Sequence, residues 1–253
     1  MYYLSLGDSL ATGVQPIGAP DRQYRTDEGY ADQLHAIASA KLPGLETVKL
    51  GYPGESSATM IEGGLTTYPH GSQLAEAVAF LREHRSSVAF ITLDIGFNDL
   101  PAYDLASIPE GLTSLSANLP GILGRLQEAV VPGTPIVGMS IYDPFLSLWL
   151  NGPEGRDQAR SSVWEGVVPI NAHMAQIYRS AGLTLADVEG AFATTDFETM
   201  VLVKGLGHVP ANVAHVLEWT WAGTPPPLGP DLHANGRGYR VIAEQFARIV
   251  VPE

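Results

Sequence analysis

The run Tyr2-Tyr3-Leu4-Ser5-Leu6, leading directly into Gly7-Asp8-Ser9-Leu10-Ala11-Thr12-Gly13, decides how the rest of the chain is read. A short aromatic and aliphatic run that stops at glycine and then offers Asp and Ser predicts a strand, a tight turn and a helix N-terminus. Ser9 then stands at the carboxyl end of a strand. Open α/β sheets collect ligands along that edge, and a helix start there adds free N–H groups and a positive dipole end for an oxyanion. That makes Ser9 a candidate nucleophile. Taken alone, the segment is served slightly better by Asp8 or Ser9 acting only as a helix N-cap, so the remaining sequence has to decide.

Further strand-like runs follow at 47–50, 88–95, 136–141 and 183–186, the second of them almost continuously apolar, as in strands covered on both faces. Helical spacing fills 29–42, 74–84, 112–129, 168–181 and 236–250. Residues 15–28, rich in Pro, Gly and charge, read as an exposed loop beside the site. Five strands alternating with helices, each connection long enough for a crossover, predict a three-layer parallel α/β fold. We read 1–253 as one domain, since 253 residues with 45% hydrophobic content can bury a full core.

The formal net charge is −13 and no Lys/Arg cluster interrupts it. That argues against nucleic acid and anionic membrane surfaces, both of which need phosphate-neutralising cations, and favours a neutral or weakly polar small molecule as partner. The absence of cysteine excludes disulfides and thiol catalysis. No apolar run approaches membrane-spanning length. Met1 leads into the first strand without a charged or apolar leader, so export by a standard signal is not expected and the chain as written reads as cytoplasmic. Asp94, His35, His84, His173, His208 and His215 show no ligand spacing that would gather them near Ser9, and no metal site is expected.

The polar residues gather at strand ends instead. The run 47–50 is followed by Gly51-Tyr52-Pro53-Gly54-Glu55-Ser56-Ser57 and the run 88–95 by Gly96-Phe97-Asn98-Asp99, while Gly229-Pro230-Asp231-Leu232-His233-Ala234-Asn235 precedes the last helix. A glycine lets its N–H approach a substrate closely, and a side-chain amide can donate to the same oxygen. Gly54, Asn98 and the Ser9 N–H would form a three-donor oxyanion hole, with His233 as base. Individually Gly54 and Gly96 are explained as turn glycines, Asn98 and Asp99 as turn formers or caps, and His233 as a surface imidazole. What those explanations leave out is a nucleophile, two donors and a base, each at a strand end where one pocket can collect them. Tyr52 and Phe97, inside the donor segments, are candidate pocket residues.

These blocks resemble the GDSL, or SGNH, family of serine esterases and lipases: Gly7-Asp8-Ser9-Leu10, then Gly54, then Gly96, Asn98 and Asp99, then His233 with Asn235, Gly238 and Tyr239 behind it. The resemblance implies a flavodoxin-like α/β/α sandwich with a five-stranded sheet, no cofactor, and ester hydrolysis by Ser9 and His233 with the Ser9, Gly54 and Asn98 oxyanion hole. One departure matters. The family pattern places an aspartate three residues before the histidine, where this chain has Pro230; its nearby carboxylate, Asp231, lies two before. In an extended segment Asp231 would face the imidazole, whereas in a turn the Pro230 carbonyl would, which predicts a weak dependence on Asp231. With no long lid segment, short to medium acyl esters are the expected substrates. A carbohydrate acetylesterase and a noncatalytic binding module on the same fold are the alternatives.

Overall fold

Tyr3 and Leu4 are neighbours in sequence and belong to different cores. In the computed structural model, which describes residues 1–16, 24–101 and 103–252, that alternation organises the molecule. The elements run β1 (Tyr2–Gly7), β2 (Val14–Gln15), β3 (Tyr24–Arg25), α1 (Tyr30–Ala38), β4 (Glu46–Lys49), α2 (Ser57–Glu62), α3 (Gln73–Glu83), β5 (Val88–Asp94) and α4 (Ile108–Ala129). Then come β6 (Ile136–Met139), α5 (Gly152–Ser161), α6 (Val168–Ser180), β7 (Thr184–Ala186), α7 (Val188–Ala191), β8 (Met200–Val203), β9 (Gly207–Pro210), α8 (Ala211–Trp219) and α9 (Gly236–Val250).

Five strands form one parallel sheet in the order β4-β1-β5-β6-β7. Because side chains alternate across a strand, Tyr3, Phe90 and Val137 face a core built with α1, α8 and α9, while Leu4, Leu6, Ile91 and Leu93 face another built with α3, α4 and α6. The result is the three-layer α/β/α sandwich that the strand–helix alternation predicts. The order reverses between β1 and β5, whose ends are level, with Gly7 opposite Asp94. Doubly wound sheets open their binding crevice at such a switch point, beyond the carboxyl ends of the strands.

Several local expectations give way. No helix starts at Ser9: residues 8–13 form successive turns closed by Gly13 N–H to Leu10 O (3.1 Å) and Val14 N–H to Ser9 O (3.0 Å). Gly13, at φ +66, diverts the chain into β2, which pairs antiparallel with β3. The expected exposed loop at 15–28 therefore begins with buried Gln15 and holds a short strand pair, while its residues 17–23 lie outside the described residues. The long helix α4 begins at Ile108 rather than 112, with Pro109 in its first turn, where a missing N–H costs nothing. Helix α5 is almost wholly polar and offers no apolar stripe to read; through a π-turn at Ser162–Val167 it continues into α6. Among the described residues no helix is long and apolar enough to cross a membrane.

The segment after β6 carries a buried acid. Asp143 is fully buried; its Oδ1 accepts from Phe145 N–H (2.9 Å) and Ser162 Oγ (3.1 Å), and its Oδ2 has no hydrogen-bond partner among the described residues. Burial pushes its pKa up to about 7. An acid whose folded pKa lies above its unfolded value binds its proton more tightly when folded, so this stability is complete below about pH 4 and lost as pH rises through 7. Asp143→Asn keeps both accepted bonds and removes the titration. We expect the melting temperature of the variant, relative to wild type, to be several degrees higher at pH 8 than at pH 5, for a linkage of about 3 kcal/mol across that window. Parallel melting curves across that range would show that Asp143 is already ionised in the fold at pH 5 and that burial does not raise its pKa.

Candidate active site

Gly7 ends β1 at φ +130, and a Cβ there would lie 2.1 Å from both the carbonyl oxygen and Oδ1 of Asp94. Only glycine lets the two strand ends abut this closely. Its peptide group is held from the other side by Gln73 of α3, whose Oε1 accepts from Gly7 N–H (2.7 Å) and whose Nε2 donates to Gly7 O (3.0 Å). Ser9 follows on the turn, its Oγ 3.4 Å from Asp8 Oδ1. The amides that a helix start would have left free are used locally: Leu10 N–H donates to Asp8 Oδ1 (2.9 Å) and Ala11 N–H to Asp94 Oδ2 (3.1 Å).

Asp8 and Asp94 are both buried at this strand edge. Burial, then the neighbouring Asp8 charge, pushes Asp94 well above the usual carboxylate range, and burial raises Asp8 too. A proton kept on Asp94 lets the two carboxyl groups hydrogen-bond rather than repel. The Tyr30 hydroxyl also donates to Asp94 Oδ1, at 2.8 Å.

Asn98 sits in the 3₁₀ turn Phe97–Asp99 just beyond β5. Its Nδ2 donates to Asp8 Oδ2 (2.9 Å) and to Glu55 O (3.0 Å), and its Oδ1 accepts from the Tyr103 hydroxyl (2.9 Å). Three bonds thus fix which end of the amide faces Ser9's turn. The next residue, Asp99, has a scaffolding part: it accepts from Ser57 N–H (3.0 Å) and from the hydroxyls of Ser57 and Ser114, tying the start of α2 to α4. Gly54, ahead of α2, has φ +84, a conformation that glycine adopts without strain.

His233 lies on a segment anchored at several points. Trp221 N–H donates to His233 O (2.9 Å), Asp231 N–H donates to Trp221 O (3.2 Å), and the Tyr142 hydroxyl donates to Leu232 O (2.8 Å). Asn235 caps α9, accepting from Arg237 and Gly238 N–H. The Asp231 carboxylate faces the imidazole, with Oδ1 2.6 Å from His233 Nδ1 and also accepting His233 N–H at 2.9 Å. The side chains are only 13% and 11% exposed, so the contact is shielded from water. Of the two groups that the spacing offers to the imidazole, the Asp231 carboxylate is the one seen at Nδ1.

Ser9, Gly54, Asn98, Asp231 and His233 line one cavity of about 380 Å³ at the switch point, together with Phe97. A hydroxyl, an imidazole held by a carboxylate, and an amide around one crevice are the components of acyl transfer. Residues 5–241 match the model of the GDSL-like lipase/acylhydrolase family. The chain belongs to the GDSL-like lipase/acylhydrolase family. It is a carboxylic ester hydrolase on that footing. The fold of this lipase/acylhydrolase is similar to that of Axe2, an acetylxylan esterase from Geobacillus stearothermophilus (TM-score 0.57, 18% identity, covering 100% of this chain and 94% of that one). It is likewise similar to an extracellular lipase from Streptomyces rimosus (TM-score 0.57, 17% identity, 96% and 98% covered). At such identities the likeness speaks for the fold alone. No curated protein matches in sequence.

Tyr52 is placed elsewhere: the Arg25 guanidinium stands 4.5 Å over its ring, and it does not line the cavity. Two contributors escape sequence reading. Gln73 looks like an ordinary position in an amphipathic helix, yet it clamps the peptide two residues before Ser9. Tyr103, at φ +50 with its ring stacked on Phe97 (centroids 5.4 Å apart), steadies Asn98 from an exposed turn. A positive φ at tyrosine has no sequence signal.

Proposed function

We propose that this GDSL-like hydrolase is a carboxylesterase that works through an acyl-enzyme on Ser9. His233 takes the Ser9 proton on Nε2 as Oγ attacks the ester carbonyl, while Asp231 holds Nδ1 and stabilises the imidazolium. The Ser9 and Gly54 N–H groups and the Asn98 amide receive the developing oxyanion. His233 then protonates the departing alcohol, and water, activated by the same imidazole, releases the acid and restores Ser9. The observation that carries this reading is the 2.6 Å contact of Asp231 with His233 Nδ1 in the wall of the cavity that Ser9 also lines.

Both Asn98 amide hydrogens face protein acceptors, Asp8 Oδ2 and Glu55 O. A charge growing on the substrate oxygen would draw one of them into a shared bond, so the interaction strengthens towards the transition state. Asn98→Ala is therefore expected to lower kcat on a p-nitrophenyl ester by about 10²- to 10³-fold with little change in KM. A change confined to KM would make Asn98 a substrate-binding residue instead. The test of the reading as a whole is hydrolysis of p-nitrophenyl esters by the purified protein. No turnover of any of them would return the chain to the noncatalytic alternative.

A further inference from the structure

A second cavity, of about 610 Å³, adjoins the one that Ser9 lines and shares three of its walls, Phe97, Tyr103 and Ile141. Its own walls are apolar where they are deepest, with Leu100, Ile108 and Ile170 buried and Phe145 and Leu148 partly so. Helix α5 and the π-turn at Ser162–Val167 close its far side, through Gln158, Ser161 and Gly166. We propose that this cavity receives the acyl chain of the ester, entered past the stacked Phe97–Tyr103 pair, and that the preferred acyl group is a medium-length alkyl chain rather than acetyl. The proposal rests on the Ser9 acyl-enzyme reading.

The geometry of a tetrahedral intermediate selects the acyl side. Of the four substituents on the attacked carbon, one is Ser9 Oγ, the oxyanion points to Gly54 and Asn98, and the leaving oxygen must face His233 to be protonated. The acyl carbon takes the remaining direction. The segment carrying the base, Pro230 to His233, lines the first cavity and contributes nothing to the second. The shared partition is built instead from the two aromatic residues on either side of the Asn98 turn and from Ile141, just past β6. The second cavity therefore opens from the oxyanion side, away from the leaving group. Of the three shared side chains, Phe97 can open the partition by rotamer change alone, leaving the Tyr103 bond to Asn98 and the sheet edge in place. Its volume lies in the range of pockets that bury drug-sized ligands, far beyond what an acetyl group needs.

Each methylene moved from water into such walls favours binding by roughly fourfold. The expectation of short to medium acyl chains rests on the absence of a lid segment, which says nothing about space beneath the rim. For wild type, kcat/KM should rise at least tenfold from p-nitrophenyl acetate to p-nitrophenyl decanoate, measured below the aggregation limit of the longer ester. Ser161→Phe and Gln158→Trp add bulk to the far wall of the second cavity only, from a partly buried and an exposed position of α5. In each folded variant the decanoate-to-acetate ratio of kcat/KM should fall at least tenfold. A wild-type preference for acetate, or a ratio unchanged in both variants, would overturn the acyl assignment while leaving Ser9 esterase activity standing. Failure to hydrolyse any ester would overturn both.

Discussion

Ser9→Ala is expected to lower kcat for ester hydrolysis by at least about 10⁴-fold, because without the hydroxyl there is no acyl-enzyme and only the donors and binding groups remain to act. The fold should be untouched. Among the described residues Ser9 Oγ makes one long hydrogen bond, 3.4 Å to Asp8 Oδ1, and the turn around it is held by backbone bonds and by the carboxyl groups of Asp8 and Asp94. An unchanged melting temperature with activity abolished would place the loss in the chemistry. Retention of more than about a hundredth of the wild-type kcat would require another nucleophile and sink the Ser9 mechanism.

Asp231→Asn is expected to cost about 10³- to 10⁴-fold in kcat. An amide in that place can turn a donor towards Nδ1, which favours the tautomer that leaves Nε2 protonated and unable to act as base, and it removes the charge that stabilises the imidazolium. The structure raises this expectation above the weak dependence that the sequence spacing suggests, since Oδ1 lies 2.6 Å from Nδ1 in a site that is nearly closed to water. Oδ1 also accepts the His233 N–H, so an amide that turns its donor towards Nδ1 gives up that backbone bond, and the melting temperature has to be read beside the rate. A loss below about tenfold, in a variant with the wild-type melting temperature, would mean that backbone groups orient His233.

The sheet was legible because its strands obey a simple rule. Buried parallel strands such as Val88–Asp94 are nearly all apolar, and the helices that cover them repeat apolar residues at helical spacing, so local pattern and tertiary role agree. The strand-end positions of Ser9 and Asn98 followed from the same pattern, since a glycine and an amide interrupt apolar runs there, whereas His233 sits between α8 and α9, after no strand of the sheet. What could not be read depends on distant partners. The turn at Ser9 is chosen by Gly13 and by β2 pairing with β3, more than ten residues away, and those overrule a good N-cap sequence. Whether Asp231 or Pro230 faces the imidazole depends on the backbone of Trp221, which bonds to both Asp231 and His233. Helix α5, with a polar surface on most sides, and Tyr103, whose hydroxyl reaches back to Asn98, carry no periodic mark.

The central claim is that Ser9, activated by His233 and Asp231, is the nucleophile. Reaction of the purified protein with a fluorophosphonate, followed by peptide mass mapping, tests it most directly, because that reagent phosphonylates a serine only where a base and an oxyanion hole activate it. The account predicts one adduct per chain, on Ser9, formed in step with loss of esterase activity and absent from His233→Ala. An adduct on any other residue, or full inactivation with Ser9 unmodified, would contradict it.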